Sequence, residues 1–181
     1  MLSALLALLL LAATIDPRLV EPLRLLAEIG ARETVDSEPG QVYADLPESL
    51  GLTLVVATLP RNGAGRYDPN TRTVTVAERL RGESPEALAL VLVHEMQHAV
   101  DHKRRILGLL GVDCIGFEVR GFVAASQVAR AFWPDQLPDE TPFEREIAAM
   151  VSDYEANGTA GLAARVAGTG GYRQSCTNWR E

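Results

Sequence analysis

The chain has little of several features that mark other classes of protein. It has two cysteines and three histidines among 181 residues, and aromatic residues make up only 6%. Its 17 basic residues, against 24 acidic ones, form no block of like charge. We therefore expect no nucleic-acid partner, because phosphate binding needs basic residues clustered on one face. With 47% hydrophobic and 23% charged residues and no repeat, the composition excludes collagen-like, coiled-coil and wholly disordered proteins.

A long hydrophobic run is present only at the N-terminus, where residues 2–13 carry no charge. A membrane-spanning helix needs about 20 apolar residues, whereas the core of a signal peptide needs about 7–15. We interpret residues 1–15 as a signal peptide or short membrane anchor, which predicts an exported or membrane-associated protein. The alternative is an apolar first helix buried in the core of a cytoplasmic protein.

The two cysteines, Cys114 and Cys176, lie far apart in the sequence. In an exported protein a single disulfide bond between them would close a large loop, whereas in a cytosolic protein they would be two thiols. The distance that decides between these alternatives is not contained in the sequence.

The rest of the chain predicts one α+β domain over residues 16–181, since this length suits a single core. Hydrophobic spacing, caps and turn residues predict four helices and three short strands. A polar loop is predicted between the first helix and the first strand, and the later strands are predicted to pair antiparallel. The predicted helices cover about residues 16–30, 84–106, 113–133 and 142–155, the loop 31–50, and the strands 52–56, 66–67 and 71–76.

The chemistry-bearing pattern is His94-Glu95-Met96-Gln97-His98, inside the helix predicted over residues 84–106. Histidines at i and i+4 project from one helix face, so both imidazoles can reach one Zn²⁺ ion. Two histidines can also be core residues with satisfied hydrogen bonds. However, this pair follows seven apolar residues, 87–93, and burying two imidazoles and a carboxylate without partners costs several kcal/mol. Metal binding would compensate that cost.

A catalytic zinc site needs a third protein ligand, and Glu118 is the leading candidate. It lies twenty residues after His98 on the next predicted helix, among mostly apolar neighbours. A salt bridge between Glu118 and an arginine such as Arg120 is the alternative explanation for a carboxylate there. Asp101 and His102 are the rival ligands. Asp101 also suits a role in orienting a ligand imidazole, and His102 suits a role in holding substrate or the oxyanion.

His94, Glu95 and His98, with Glu118 on a following helix, resemble the motif of the zincin metallopeptidases, in particular the gluzincin branch typified by thermolysin. The resemblance covers about residues 52–130. The order of strands and motif helix in this region is similar to the compact core of small bacterial peptidases. The resemblance implies that His94, His98 and Glu118 bind one Zn²⁺ per chain and that Glu95 is the general base toward a zinc-bound water. It also implies that extended peptide docks on a sheet edge formed by about residues 72–76.

The chain also departs from the family patterns. Phe117 and Phe122 stand where thermolysin-type enzymes carry an asparagine and an aspartate. Asp101 and Arg104 stand where the metzincin pattern requires glycine and histidine. The third histidine, His102, is similar to that of cytosolic peptidases that cleave repressor proteins.

Together these features predict a compact zincin-like α+β domain, with a small antiparallel sheet packed on several helices and the zinc helix at its centre. The expected function is zinc-dependent hydrolysis of peptide bonds in a peptide or protein substrate. Tyr154, Tyr172, His102 and Arg120 are candidate donors to the substrate carbonyl. Two alternatives stay open: a catalytically silent zinc-binding domain, against which an intact Glu95 argues, and an intracellular regulatory protease of a single protein partner.

Overall fold

The computed structural model describes residues 14–32, 40–59, 63–106 and 113–169, which form the mixed α+β fold that the sequence predicts. The α-helices of this part of the chain are α1 (Val20–Glu28), α2 (Leu46–Leu50), α3 (Pro85–Ile106), α4 (Cys114–Phe132) and α5 (Pro142–Gly168). The strands are β1 (Thr53–Ala57), β2 (Gly65–Asp68) and β3 (Thr73–Ala77). Short 3₁₀ helices cover Pro17–Leu19, Tyr43–Asp45 and Glu78–Leu80.

The helix that carries the motif, α3, lies at the centre of the fold. Its start follows from local chemistry, because the Ser84 hydroxyl accepts a hydrogen bond from the Ala87 N–H at 3.2 Å and Pro85 occupies the first helical position. All residues from 87 to 93 are buried. The helix contacts α1, α4, β2 and β3, so its apolar first half is covered on several sides.

The sheet is mixed, and the prediction of a purely antiparallel sheet is wrong. Its strand order is β1-β3-β2, with β1 parallel and β2 antiparallel to β3. Strand β3 therefore lies in the middle, and the expectation that residues 72–76 form the sheet edge is also wrong. Alternation of apolar residues shows which face a strand buries, but it does not show which strands are its neighbours.

Two predicted boundaries differ from the structure. The segment 31–50 was expected to be a loop, but it contains α2 and the preceding 3₁₀ turn, because Tyr43, Leu46 and Pro47 are buried. The last helix was expected to end near residue 155. Instead Gly158 makes a kink, with φ +60° and ψ −156°, and the helix resumes because Leu162 and Val166 still pack into the core.

The predictions for the two chain ends concern residues that lie mostly outside the described part of the chain. Residues 1–13 of the predicted signal segment and Cys176 lie there. In the part of the chain that is described, no helix is both long and apolar enough to cross a bilayer. Cys114, the first residue of α4, is disulfide-bonded.

Candidate metal centre

His94, His98 and Glu118 come together where α3 meets α4. The Nε2 atom of His94 lies 3.3 Å from Oε2 of Glu118, and the Nε2 atom of His98 lies 3.8 Å from the same oxygen. The two Nε2 atoms are 3.0 Å apart. The three side chains keep 12%, 14% and 20% of their surface exposed, so the group is mostly buried but accessible to solvent. Among the described residues, no other group of three candidate ligands is this close together.

The geometry of this trio fits a zinc ion. Nitrogen and carboxylate oxygen ligands lie about 2.0–2.2 Å from Zn²⁺, which separates ligand atoms in a tetrahedron by about 3.3 Å. The three observed separations lie around that value. Both imidazoles present the same nitrogen, and two histidines with one glutamate are a donor set known from catalytic zinc sites.

Glu95 lies beside the trio, on the side of α3 that faces β2. A Cβ atom on Gly65 would lie 2.6 Å from the Cγ of Glu95 and 2.7 Å from its Oε1, so β2 can pack this close only because the residue is glycine. The backbone N–H of Tyr67, also in β2, donates a hydrogen bond to the Glu95 carboxylate. Strand β2 thus fixes the position of the Glu95 carboxylate, through the close approach of Gly65 and the hydrogen bond from Tyr67.

Burial dominates the electrostatics of the four groups. It raises the pKa of Glu95 to about 7, with the Glu118 charge acting in the same direction and the His94 charge against it. It lowers the pKa of His98 to about 4. Burial is also the largest single effect on His94 and Glu118 and disfavours their charged forms. Their mutual hydrogen bond and the neighbouring charges together outweigh it, so the pKa of His94 is raised and the pKa of Glu118 is lowered.

The close approach of α4 to His94 depends on Gly121. A Cβ atom at this position would lie 2.8 Å from both Cε1 and Nδ1 of the His94 ring. The ring of Phe122 lies edge-on to the same imidazole, with a centroid distance of 4.5 Å. Gly121 and Phe122 therefore set the position of the His94 ring against the helix that carries Glu118.

Replacing Gly121 by alanine is expected to weaken zinc binding by about tenfold, since partners that orient a metal ligand contribute about 10–100-fold to affinity. The added methyl group must displace the His94 ring or the helix, while alanine itself favours helix formation. Zinc affinity measured by chelator competition tests this. Gly82→Ala is the matched control, because no atom lies within 4 Å of a Cβ there. Equal affinities for the two variants would contradict the prediction.

The rival ligands occupy other places. Asp101 is fully buried, and its carboxylate accepts hydrogen bonds from Gln97 and Arg120. The ring of His102 faces Tyr67, with a centroid distance of 6.1 Å. Neither residue belongs to the close trio found among the described residues.

The four residues considered as donors to a substrate carbonyl are not equivalent. Arg120 donates from Nε to Asp101 at 2.9 Å, so this donor is already used. Tyr154 packs against the hydrophobic core from α5. Tyr172 lies outside the described residues. His102, one turn beyond His98, is the one of the four that lies on α3 itself.

Sequence reasoning missed the residues that allow other elements to pack closely against Glu95 and His94. Gly65 and Gly121 carry no side chain to attract attention, and their role appears only when a second element approaches Glu95 or His94. The buried Gln97, in the middle of the motif, also has a role that sequence reasoning did not consider, although its spacing of four from Asp101 is a signal that can pair the two.

No protein-family model matches the chain, and comparison with curated proteins and with solved structures found no match either.

Proposed function

We propose that the chain is a zinc-dependent peptidase that hydrolyses peptide bonds, with His94, His98 and Glu118 as metal ligands and Glu95 as general base. The observation that carries the proposal is the convergence of three ligand atoms at separations of 3.0, 3.3 and 3.8 Å beside a buried carboxylate. Such a zinc ion lowers the pKa of a bound water and polarises a carbonyl group.

Each of the four site residues has a defined role in this proposal. The three ligands would hold the ion and leave one of its positions for water or substrate. Glu95, held by the Tyr67 N–H and packed against Gly65, accepts the proton of the attacking water and returns it to the leaving amine. Its low exposure, 6%, raises the pKa of the carboxyl to about 7, so the group can both accept and release a proton near neutral pH.

Strand β2 is the proposed docking edge for an extended substrate. Within the described residues it pairs on one side with β3, and it is the strand that contacts Glu95. A peptide added to its outer edge would form main-chain hydrogen bonds next to the metal ligands. This assignment replaces residues 72–76, because β3, at Thr73–Ala77, is the central strand.

The test is to measure zinc content and hydrolysis on the same preparation. One zinc per chain is expected, with cleavage of a mixture of unrelated peptides, detected by mass spectrometry, that a chelator abolishes and added zinc restores. Folded protein that binds no zinc would refute the metal centre. Zinc binding with no cleavage of any peptide would favour the catalytically silent binding domain, and cleavage of one protein only would favour the regulatory protease.

A further inference from the structure

A chain of buried polar side chains joins α3 to α4 near the candidate metal centre. The Arg120 Nε donates to Oδ2 of Asp101 at 2.9 Å, and the Nε2 of Gln97 donates to Oδ1 of the same carboxylate at 2.8 Å. The Tyr43 hydroxyl donates to Oε1 of Gln97 at 2.6 Å. We call these four residues the Asp101 network.

The network lies deep in the protein. Tyr43, Gln97 and Asp101 have no exposed surface, and Arg120 keeps 17% of its side chain exposed. Both oxygens of the Asp101 carboxylate have a partner, as does the oxygen of the Gln97 amide. Buried polar groups that are satisfied in this way hold one specific arrangement, because each displaced group would lose its partner.

Stability alone is a poor reason for such a network. The desolvation of a buried ion pair often cancels its Coulomb attraction, and well-packed hydrophobic residues in its place are often neutral or stabilising. The best-attested use of buried polar groups is to specify the register of packed helices. We therefore consider how the network could fix the positions of the helices that it joins.

The placement of the Asp101 network shows that it links α3 and α4 close to the candidate ligands. Asp101 lies three residues after His98 on α3, and Arg120 lies two residues after Glu118 on α4. The ion pair thus ties together the same two helices that bring the ligands together, within one turn of a ligand on each. A slide or rotation of α4 along α3 would break the ion pair and move Glu118 away from the histidines.

We propose that the Asp101 network is a positioning device that sets α4 against α3 so that Glu118 reaches both His94 and His98. Its residues act through the ligands and touch neither metal nor substrate. The inference rests on the proposed function, because it assigns a role in building that same metal centre. It differs from the sequence-based expectation that Asp101 orients a ligand imidazole directly.

The test compares zinc affinity and the visible spectrum of the Co²⁺-substituted protein. Asp101→Asn with Arg120→Gln replaces the ion pair by a neutral hydrogen-bonding pair with a shorter reach. We expect zinc affinity to fall by about 10–100-fold. We also expect the Co²⁺ absorption to change toward that of Glu118→Gln, while the metal-free protein still unfolds cooperatively. Arg120→Lys alone, which keeps the positive charge opposite Asp101, is expected to lose less zinc affinity than the double variant.

The matched control removes an ion pair that joins α4 to a different helix. Arg130 donates to Glu155 of α5 at 2.5 and 2.7 Å on the protein surface, and Arg130→Gln with Glu155→Gln is expected to leave zinc affinity and the Co²⁺ spectrum unchanged. If the Asp101 double variant does not fold, Tyr43→Phe, which removes only one hydroxyl of the network, is expected to weaken zinc binding in the same direction.

The outcomes separate this inference from the function on which it rests. Wild-type protein that binds neither zinc nor Co²⁺ overturns both. Wild type that binds zinc, with folded network variants of equal affinity and unchanged Co²⁺ spectrum, overturns the positioning role alone. An equal loss of affinity in the Arg130 and Glu155 control also overturns it, because the effect would then follow from any helix contact.

Discussion

Replacing Glu95 by glutamine is expected to reduce peptide hydrolysis by about 10²–10⁴-fold, the usual contribution of a general base, while zinc remains bound. Glutamine has nearly the same shape as glutamate, so it can keep the contact with Gly65 and the hydrogen bond from the Tyr67 N–H. It cannot accept a proton at neutral pH. The three ligand atoms lie on other side chains, so zinc content is expected to stay at one per chain.

The control for this variant is Glu86→Gln, a change of the same kind in the first turn of the same helix. It is expected to keep full activity. The measurement is the initial rate of peptide cleavage together with the zinc content of each preparation. Activity of Glu95→Gln within a few-fold of wild type would show that another group takes the proton, and it would remove Glu95 from the mechanism.

Replacing His94 by alanine is expected to abolish zinc binding and, with it, the stabilisation that zinc confers. A ligand present at about 1,000 times its dissociation constant stabilises the folded state by about 4 kcal/mol. His94 is the ligand closest to both of the others, with its Nε2 3.0 Å from His98 and 3.3 Å from Glu118. The unfolding midpoint of wild type should therefore rise on adding zinc, whereas that of the variant should not.

His102→Ala is the matched control for this second prediction, because it removes the remaining histidine of the same helix. It is expected to keep both zinc content and the zinc-dependent rise in the unfolding midpoint. Comparing the metal-free forms separates the loss of the ligand from the loss of packing against Phe122. If His102→Ala loses zinc and Glu118→Gln keeps it, the third ligand is His102.

The tertiary structure agrees with the sequence where a signal is local. The motif helix begins at Pro85, as its cap predicts, and its described residues reach Ile106. The helix that carries Glu118 begins after Asp113, whose side chain accepts from the Gly116 N–H at 2.8 Å. Both starts depend on hydrogen bonds between residues three apart, which sequence patterns record directly.

The disagreements arise where distant segments meet. The parallel pairing of β1 with β3 depends on which strand fills the centre of the sheet, and the turn residues around Asn70 report only the β2–β3 hairpin. The helix continues beyond Gly158 because Leu162 and Val166 find a buried place. In each case the energy comes from burial against another element, which no local pattern contains.

Sequence patterns were sufficient to predict the α+β class, the motif helix and the pair His94 and His98 with Glu95 between them, since helical periodicity alone brings residues four apart to one face. They left the third ligand open among Glu118, Asp101 and His102, and they left the disulfide state of Cys114 open. Only the packing of α4 on α3 decided which carboxylate meets the histidines, because a contact across twenty residues depends on the Gly121 approach and on helix register.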